Sequence, residues 1–335
     1  MDKKVVKLVH AGDAEQLDKT LQEIDKEEKS RLLHTIYTHG DSIAHFAARE
    51  HQLEILKVLA RHQCPFEISN ENGRQPLHEA INSQSCMEFL VSECKVDVNA
   101  MKRGDWTAIM IAAMKGLTDS VKFLLQHGAR LDMINRDGWN ALHLAVKEGG
   151  DVFSDLSTFL IDKYPEASLA VSKSGRLPVQ TAARCNEDSF LTLYLLTHSP
   201  HGPKAILNHQ DNSGQNLLQD AVAAKNIPLV QTLIQDYEAD ANVPDKLGRT
   251  AIHHAAMIGC MDVMVVLRDL ERRHITKIDW DRADSWDEWT PLMHSAREGH
   301  RETSKFLIEE CGADCSKLDK QGRTAGDIGK SDGSG

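Results

Sequence analysis

A turn followed by a helix start recurs along almost the whole chain, and this repetition constrains the fold more than any other feature. The best-matching copies read NGRQPLHEA at 72–80, DGWNALHLA at 137–145, LGRTAIHHAA at 247–256 and EWTPLMHSA at 288–296. A signature that returns at a regular period predicts a stack of supersecondary units, because each unit buries its apolar face only against its neighbours.

The spacing of the copies gives the number of units. The residue that follows the turn is, in chain order, Ser42, Gln75, Thr107, Asn140, Leu177, Asn216, Thr250, Thr290 and Thr324. Successive positions are 33, 32, 33, 37, 39, 34, 40 and 34 residues apart. A period of about 33 residues explains the shorter distances. We expect the extra residues of the three longer ones in loops near 149–151, 198–203 and 272–287.

Each copy contains the residues that a turn and a helix N-terminus require. Gly permits the positive φ of the turn. Ser, Thr or Asn accepts backbone N–H bonds at the helix start, and Pro suits the first helical turn. A second helix follows with apolar residues at helical spacing, as at Val121, Leu124 and Leu125. The pattern predicts an all-α solenoid of helix–turn–helix units joined by β-turn or hairpin loops.

This signature resembles the ankyrin repeat, Gly-x-Thr-Pro-Leu-His-x-Ala-Ala. The resemblance covers residues 38–328, with eight complete repeats and a truncated ninth. An amphipathic pattern broken at Gly12 and Asp13 predicts that 1–37 form an N-terminal helical cap, starting with a helix pair over 3–29. The polar segment 329–335 is expected to be a disordered tail. The resemblance implies a surface that binds a folded protein rather than an enzyme.

Composition narrows the classes of function. The formal net charge of −11 argues against general affinity for nucleic acid. The seven cysteines are odd in number and scattered, so a reducing compartment fits best, and we expect a cytoplasmic protein that also enters the nucleus. The N-terminus lacks the apolar core of a signal peptide, and no apolar run approaches the ~18 residues of a membrane span. We expect a monomer without a membrane partner.

Histidines are the most abundant candidates for chemistry. We expect five of them to occupy one repeat position, where the imidazole bonds the Thr hydroxyl and the turn backbone: His45, His78, His143, His253 and His294. Cys311 and Cys315 lack partners at zinc-finger spacing, and no phosphate loop or nucleophile elbow occurs. We expect no catalytic residue, no metal and no cofactor.

The expected binding face is the concave surface formed by the turns and the first helix of each repeat. The variable position between the turn glycine and the helix cap holds Trp106, Trp139 and Trp289, and basic residues gather near the first two. Exposed Trp and Arg together have the composition of an interface hot spot. The candidate partner-binding residues are Arg74, Lys102, Arg103, Trp106, Lys115, Arg136, Trp139, Lys147 and Arg176.

Two alternatives apply to this face. In the first, each Trp packs on its neighbouring turn and has only a structural role. In the second, the aromatic and basic side chains bind RNA, since bases stack on aromatic rings and Arg contacts phosphate.

Repeats two to four are similar to those of an ankyrin-repeat cofactor of alanyl-tRNA synthetase. The similar stretches include RQPLHEA at 74–80, DWTAIM at 105–110 and NRDGWN at 135–140. The resemblance implies alanyl-tRNA synthetase as partner, and capture of misactivated serine on three lysines. Those lysine positions hold Arg103, Arg136 and Leu169 here. A guanidinium stays protonated and is a poor nucleophile. Serine capture therefore requires a substitute among Lys102, Lys115, Lys147 and Lys173.

Overall fold

The computed structural model describes residues 2–185 and 188–331, and its regular elements there are helices. These ranges contain 21 α-helices, two short 3-10 helices and no β-strand. The predicted fold class, an all-α ankyrin solenoid, is confirmed. Contacts group the chain into two compact units, Met1–Ala145 and Val146–Gly335, which we describe separately.

The first unit begins with three helices where the sequence predicted a pair. They are α1 (Asp2–Ala11), α2 (Ala14–Glu23) and α3 (Lys26–Leu33). The second break arises because Asp25 caps α3, its carboxylate accepting the N–H of Glu28 at 2.8 Å. A short local capping signal thus divides the predicted helical cap once more.

The first unit continues with helix pairs at the predicted positions. They are α4 (Ile43–Arg49) with α5 (Leu53–Arg61), α6 (Pro76–Ala80) with α7 (Gln84–Ser92), and α8 (Ala108–Met114) with α9 (Thr118–Gln126), followed by the start of α10 (Ala141–Glu148). First helices pack on first helices and second on second, as α4 does on α6 and α5 on α7. Small buried residues such as Ala47 and Ala112 allow this close approach.

The second unit contains the remaining repeats. Its helices are α11 (Asp151–Lys163), α12 (Pro178–Cys185), α13 (Ser189–His198), α14 (Gly202–Asn208), α15 (Leu217–Ala223), α16 (Ile227–Gln235), α17 (Ala251–Met257), α18 (Met261–Arg272), α19 (Pro291–Arg297), α20 (Arg301–Glu309) and α21 (Ala325–Ser331). Within it, α12, α15, α17, α19 and α21 pack in sequence, each on the next. The repeated unit is therefore kept across the predicted insertions.

The predicted helix starts are confirmed in all nine copies. Each first helix begins one residue after its predicted cap, from Ile43 after Ser42 to Ala325 after Thr324. Where the capping box forms, the side chain of the third helical residue accepts a hydrogen bond from the backbone N–H of the cap residue. This local geometry explains why the sequence alone locates these starts.

Two of the predicted insertions contain helix rather than loop. The extra residues near 149–151 lengthen α11 to 13 residues and precede the 3-10 helix Pro165–Leu169. Those near 198–203 begin α14, where buried Ile206 anchors the helix to its unit. Apolar burial therefore orders segments that the repeat spacing marked only as additions.

The last helix extends past the predicted start of the disordered tail at 329. Residues 329–331 belong to α21, which packs on α19 through buried Ile328. The rest of the predicted tail, 332–335, lies outside the described residues.

Candidate partner-binding surface

The second and fourth repeat turns, both in the first unit, share one hydrogen-bonded geometry. Asn70 opens the second turn, and its Oδ1 accepts the N–H groups of Asn72 at 3.0 Å and Arg74 at 2.9 Å. Asn135 does the same in the fourth turn, for Asp137 and Trp139, at 2.9 Å each. One side-chain oxygen therefore fixes each turn from inside.

Backbone hydrogen bonds also join each turn to the next. The N–H of Arg103 donates to the carbonyl of Asn72, and the N–H of Arg136 donates to the carbonyl of Gly104, both at 2.8 Å. The third and fourth turns, which carry Trp106 and Trp139, are thus direct neighbours. We call residues 102–107 and 135–140 the paired turns.

The third turn departs from this geometry at two positions. Lys102 stands where the other two turns have Asn, and Asp105 takes the glycine position with a φ of 64°. The Lys102 ammonium lies 4.9 Å from the centre of the Trp106 ring, a cation–π contact. Burial, and to a smaller extent the charge of Arg74, lowers the pKa of Lys102. Lys102 forms no ion pair with any residue that the structure describes.

The three predicted tryptophans differ in environment. Trp106 and Trp139 are half-buried, so they are less open to solvent than the sequence suggested. Trp139 stacks on His143, with ring centres 5.9 Å apart and an angle of 20° between the rings. Trp289 is only 6% exposed, and its indole N–H donates to Asp319 at 3.1 Å. Trp289 thus has the structural role, packing on the neighbouring turn, that was the alternative to partner binding.

Two of the candidate arginines form ion pairs inside the protein. Arg74 contacts buried Glu79 at 3.2 Å, and Arg49 contacts the same carboxylate at 3.1 Å. Arg176 bridges Asp211 and the fully buried Asp220 in the second unit. Their role in partner binding stays a prediction, but their charge is already offset.

The remaining basic candidates are exposed. In the first unit, Arg103 donates to the carbonyl of Glu71 at 3.3 Å and Lys115 to Asn82 at 2.8 Å, while Arg136 extends from the fourth turn. In the second unit Lys147 lies 3.9 Å from Glu148. Two acidic side chains, Asp105 and Asp137, share the paired turns. The paired turns therefore present mixed charge rather than a basic patch.

Four of the five histidines have the predicted structural role. In His45, Nδ1 accepts the N–H of Ser42 at 3.1 Å, and Nε2 donates to the carbonyl of Arg74 at 2.8 Å. This pair of bonds requires a neutral imidazole, and burial lowers the pKa of His45. His78 and His253 bond their caps in the same way, at 3.0 Å and 3.1 Å. His143 contacts its cap, Asn140, at 2.9 Å.

The prediction that His294 occupies this position is wrong. Met293 occupies it in the eighth repeat, and its sulfur receives the N–H of Thr290 at 3.4 Å. His294 lies one residue later and contacts the carboxylate of Asp284 at 3.0 Å. The Thr-to-His distance in the sequence, four residues instead of three, already indicated this shift.

One exposed tryptophan is not among the predicted binding residues. Trp286, in the eighth turn, is 69% exposed, more than any other large apolar residue among the described residues. The length of the turn is the signal in the sequence: four residues lie between Asp284 and Trp289, whereas three lie between Asp245 and Arg249. The additional residue displaces Trp286 towards solvent.

The described residues were compared with the requirements of a metal site and of a membrane-spanning helix. In the described ranges, no three His, Cys, Asp or Glu side chains are grouped so that they could hold a metal ion. Burial raises the pKa of Cys311 to about 12, which keeps this thiol protonated and a poor ligand. No helix in the same ranges has the length and apolar character needed to cross a membrane.

Comparison with known proteins identifies the family of this fold. The family model for ankyrin repeats (3 copies) matches residues 7–102, 86–170 and 218–319. The probable 26S proteasome regulatory subunit p28 of Saccharomyces cerevisiae is 28% identical over 196 residues, 58% of this chain and 80% of that protein.

Two further relatives match over a smaller share of their own length. The nuclear factor NF-kappa-B p105 subunit of Gallus gallus is 34% identical over 165 residues, 48% of this chain and 16% of that protein. Rabankyrin-5 of Mus musculus is 24% identical over 202 residues, 57% and 17% of the two chains. The family model covers well over half of the sequence. The chain therefore belongs to the ankyrin-repeat family, whose members are generally non-enzymatic protein-binding scaffolds.

Proposed function

We propose that this protein is a non-enzymatic adaptor that binds a folded protein through the paired turns. The observation that carries this proposal is the bond from Arg136 N–H to the Gly104 carbonyl, which holds two tryptophan-bearing turns side by side. A rigid pair of half-buried aromatic side chains loses little conformational entropy on binding. Arg103 and Arg136 add exposed donors at the edge of the surface.

Alanyl-tRNA synthetase is our candidate for the partner. The proposal rests on the resemblance of repeats two to four to ankyrin repeat domain-containing protein 16, which includes the turns of Trp106 and Trp139. Arg103 and Arg136 keep the positive charge of the lysines that they replace, so electrostatic docking is retained. The seven unpaired cysteines support a cytoplasmic protein that also enters the nucleus.

A lysine that accepts misactivated serine is an alternative to simple binding. In this reaction the ε-amine attacks the activated carbonyl carbon, an amide forms, the activating group leaves and the nitrogen loses a proton. The amine must be neutral to attack, so the lowered pKa of half-buried Lys102 favours it over the other substitute lysines. Intact mass after incubation with synthetase, serine and ATP separates this alternative from binding alone, because only capture adds a seryl group.

RNA binding is the second alternative. Asp105 and Asp137 lie among the basic residues of the paired turns, and this mixed charge weakens phosphate binding. An RNA-binding protein would lose affinity steeply as salt is raised, whereas an aromatic protein interface would change little.

The comparison with p28 favours a further candidate partner. That relative is named a proteasome regulatory subunit, and the chain covers 80% of its length. A large multi-subunit assembly is therefore the second kind of folded partner that we propose to test.

The decisive experiment compares a double tryptophan variant with a control variant. The double variant Trp106→Ala, Trp139→Ala should fold as the wild type does and lose at least about 2 kcal/mol of binding, roughly thirty-fold in affinity. Phe190→Ala is the matched control, because it removes an exposed aromatic ring from the second unit. Affinity for purified synthetase, and capture from extract read by mass spectrometry, are measured for all three proteins. Unchanged affinity in the double variant would exclude the paired turns as the binding surface for the partner.

A further inference from the structure

The eighth turn presents a tryptophan whose backbone is fixed while its ring lies in water. The N–H of Ser285 donates to the carbonyl of Leu247 at 2.8 Å, and the N–H of Lys320 donates to that of Asp287 at 3.0 Å. Inside the turn, Asp284 accepts the N–H of Asp287 at 3.2 Å. The indole of Trp286 is nevertheless 69% exposed. A fixed backbone with a free ring is suited to a binding anchor, because little entropy is lost when a partner covers it.

The Lys320 side chain strengthens this arrangement. Its ammonium donates to the carbonyls of Ser285 and Trp286, so it is held against the turn backbone. Among the described residues, no cation lies over the Trp286 ring, whereas Arg297 and Arg323 lie 5.2 Å and 5.9 Å from the buried Trp289 ring. Guanidinium groups thus cover Trp289, whereas none covers Trp286, three residues earlier.

Acidic residues predominate in the sequence around the exposed ring, although the Lys320 ammonium lies against the turn backbone. Asp287 and Glu288 follow Trp286 directly, and neither forms an ion pair with a described residue. Segment 279–288 contains five acidic residues and a single basic one, Arg282. An aromatic face next to unpaired carboxylates favours a cation, which gains attraction from both the ring quadrupole and the charges.

We infer that the eighth turn is a second interaction surface, which binds an arginine-bearing basic segment of a protein partner by stacking a guanidinium on Trp286. Arginine fits better than lysine, because its planar guanidinium stacks on the ring while its N–H groups reach Asp287 and Glu288. Leu247, on the preceding turn and 37% exposed, offers apolar contact for the aliphatic part of the same side chain. This surface lies in the second unit and does not depend on the paired turns.

The test uses the full chain and a short blocked peptide with two arginines. The five indole N–H signals of the protein are observed by two-dimensional NMR, and Trp286→Phe assigns the signal of Trp286. The arginine peptide should shift that signal in a saturable way, and binding should weaken as salt is raised. The matched probe is the same peptide with citrulline, which keeps the shape of arginine without its charge. It should cause at most a fifth of the shift.

Variants separate stacking from general attraction. Trp286→Leu keeps an apolar side chain without a ring and should weaken binding about five-fold, the range of one exposed cation–π contact. The double variant Asp287→Asn, Glu288→Gln should weaken it about three-fold and reduce the salt dependence. Equal response to the citrulline peptide, or wild-type affinity in Trp286→Leu, overturns the inference. The double variant Trp106→Ala, Trp139→Ala should bind the peptide with wild-type affinity. Peptide binding at the eighth turn is therefore tested independently of partner binding at the paired turns.

Discussion

The buried histidines of the repeat signature make stability depend on pH within a defined window. Burial lowers the pKa of His78 and of His253 to about 4. The folded value lies below the 6.5 of an unfolded imidazole, so their contribution is complete above pH 6.5 and is lost as pH falls towards 4. Lowering the pH from 7.5 to 5.0 therefore costs about 2 kcal/mol for each histidine.

Glutamine provides the substitution that isolates this effect, because the chain already uses it at the same position. In the fifth repeat, Gln180 accepts the N–H of Leu177 and donates to the carbonyl of Gln215, both at 3.1 Å. Gln219 makes the corresponding two bonds in the sixth repeat, at 2.9 Å each. His78→Gln and His253→Gln should therefore keep the capping bonds at neutral pH, within about 1 kcal/mol of wild type.

Urea unfolding followed by circular dichroism at pH 7.5 and 5.0 provides the measurement. Between pH 7.5 and 5.0 the double variant should lose about 4 kcal/mol less free energy of unfolding than the wild type does. Each single variant should show about half of this difference. His201→Gln, at an exposed histidine, is the control and should leave the loss of stability between pH 7.5 and 5.0 unchanged. Carboxylates with lowered pKa, such as Glu79, lose their contribution below this window. If wild type and double variant lose equal stability, the neutral-imidazole cap is refuted.

Other consequences of the turn geometry can be measured by thermal unfolding and hydrogen exchange. Lys102→Asn restores the missing side-chain acceptor of the third turn and should stabilise the protein by about 1 kcal/mol; a lower melting temperature would contradict the turn comparison. Gly214→Ala places a Cβ 2.5 Å from the amide nitrogen of Lys246 and should cost more than 2 kcal/mol, whereas Gly312→Ala, with open space around it, should cost about 1 kcal/mol. Repeats five and six, which contain Leu177 and Asn216 in place of the Thr cap, should exchange fastest, and uniform protection would exclude this weak point.

The parts of the fold that were predictable from the sequence are those determined within one repeat. A cap, a positive-φ turn and a helical apolar stripe are local, so the spacing of the caps located nine helix starts. The additional cap at Asp25 and the helix begun at Gly202 were missed, because short polar segments become helical when burial of a neighbour such as Ile206 supports them.

The properties of the candidate site depend on neighbouring repeats, so the sequence predicted them less well. Trp289 is buried because Asp319, one repeat later, receives its indole N–H. Arg176 is neutralised by Asp211 and Asp220, which lie in the following repeat. The sequence of one repeat predicts that this position is variable and lies on the concave face. It does not predict which residues of the following repeat contact the side chain there.

The residue between the turn glycine and the cap distinguishes the paired turns from the turns that contain arginine. Arginine occurs there in four repeats and always forms an ion pair inside the protein: with Glu79, with Asp211 and Asp220, with Asp245 and with Asp319. The third and fourth turns hold Trp106 and Trp139 at this position. A tryptophan ring carries no charge and therefore needs no carboxylate partner. Trp106 and Trp139 replace these arginines, so a partner that covers the paired turns breaks no arginine ion pair at this position, which would leave a buried carboxylate unpaired.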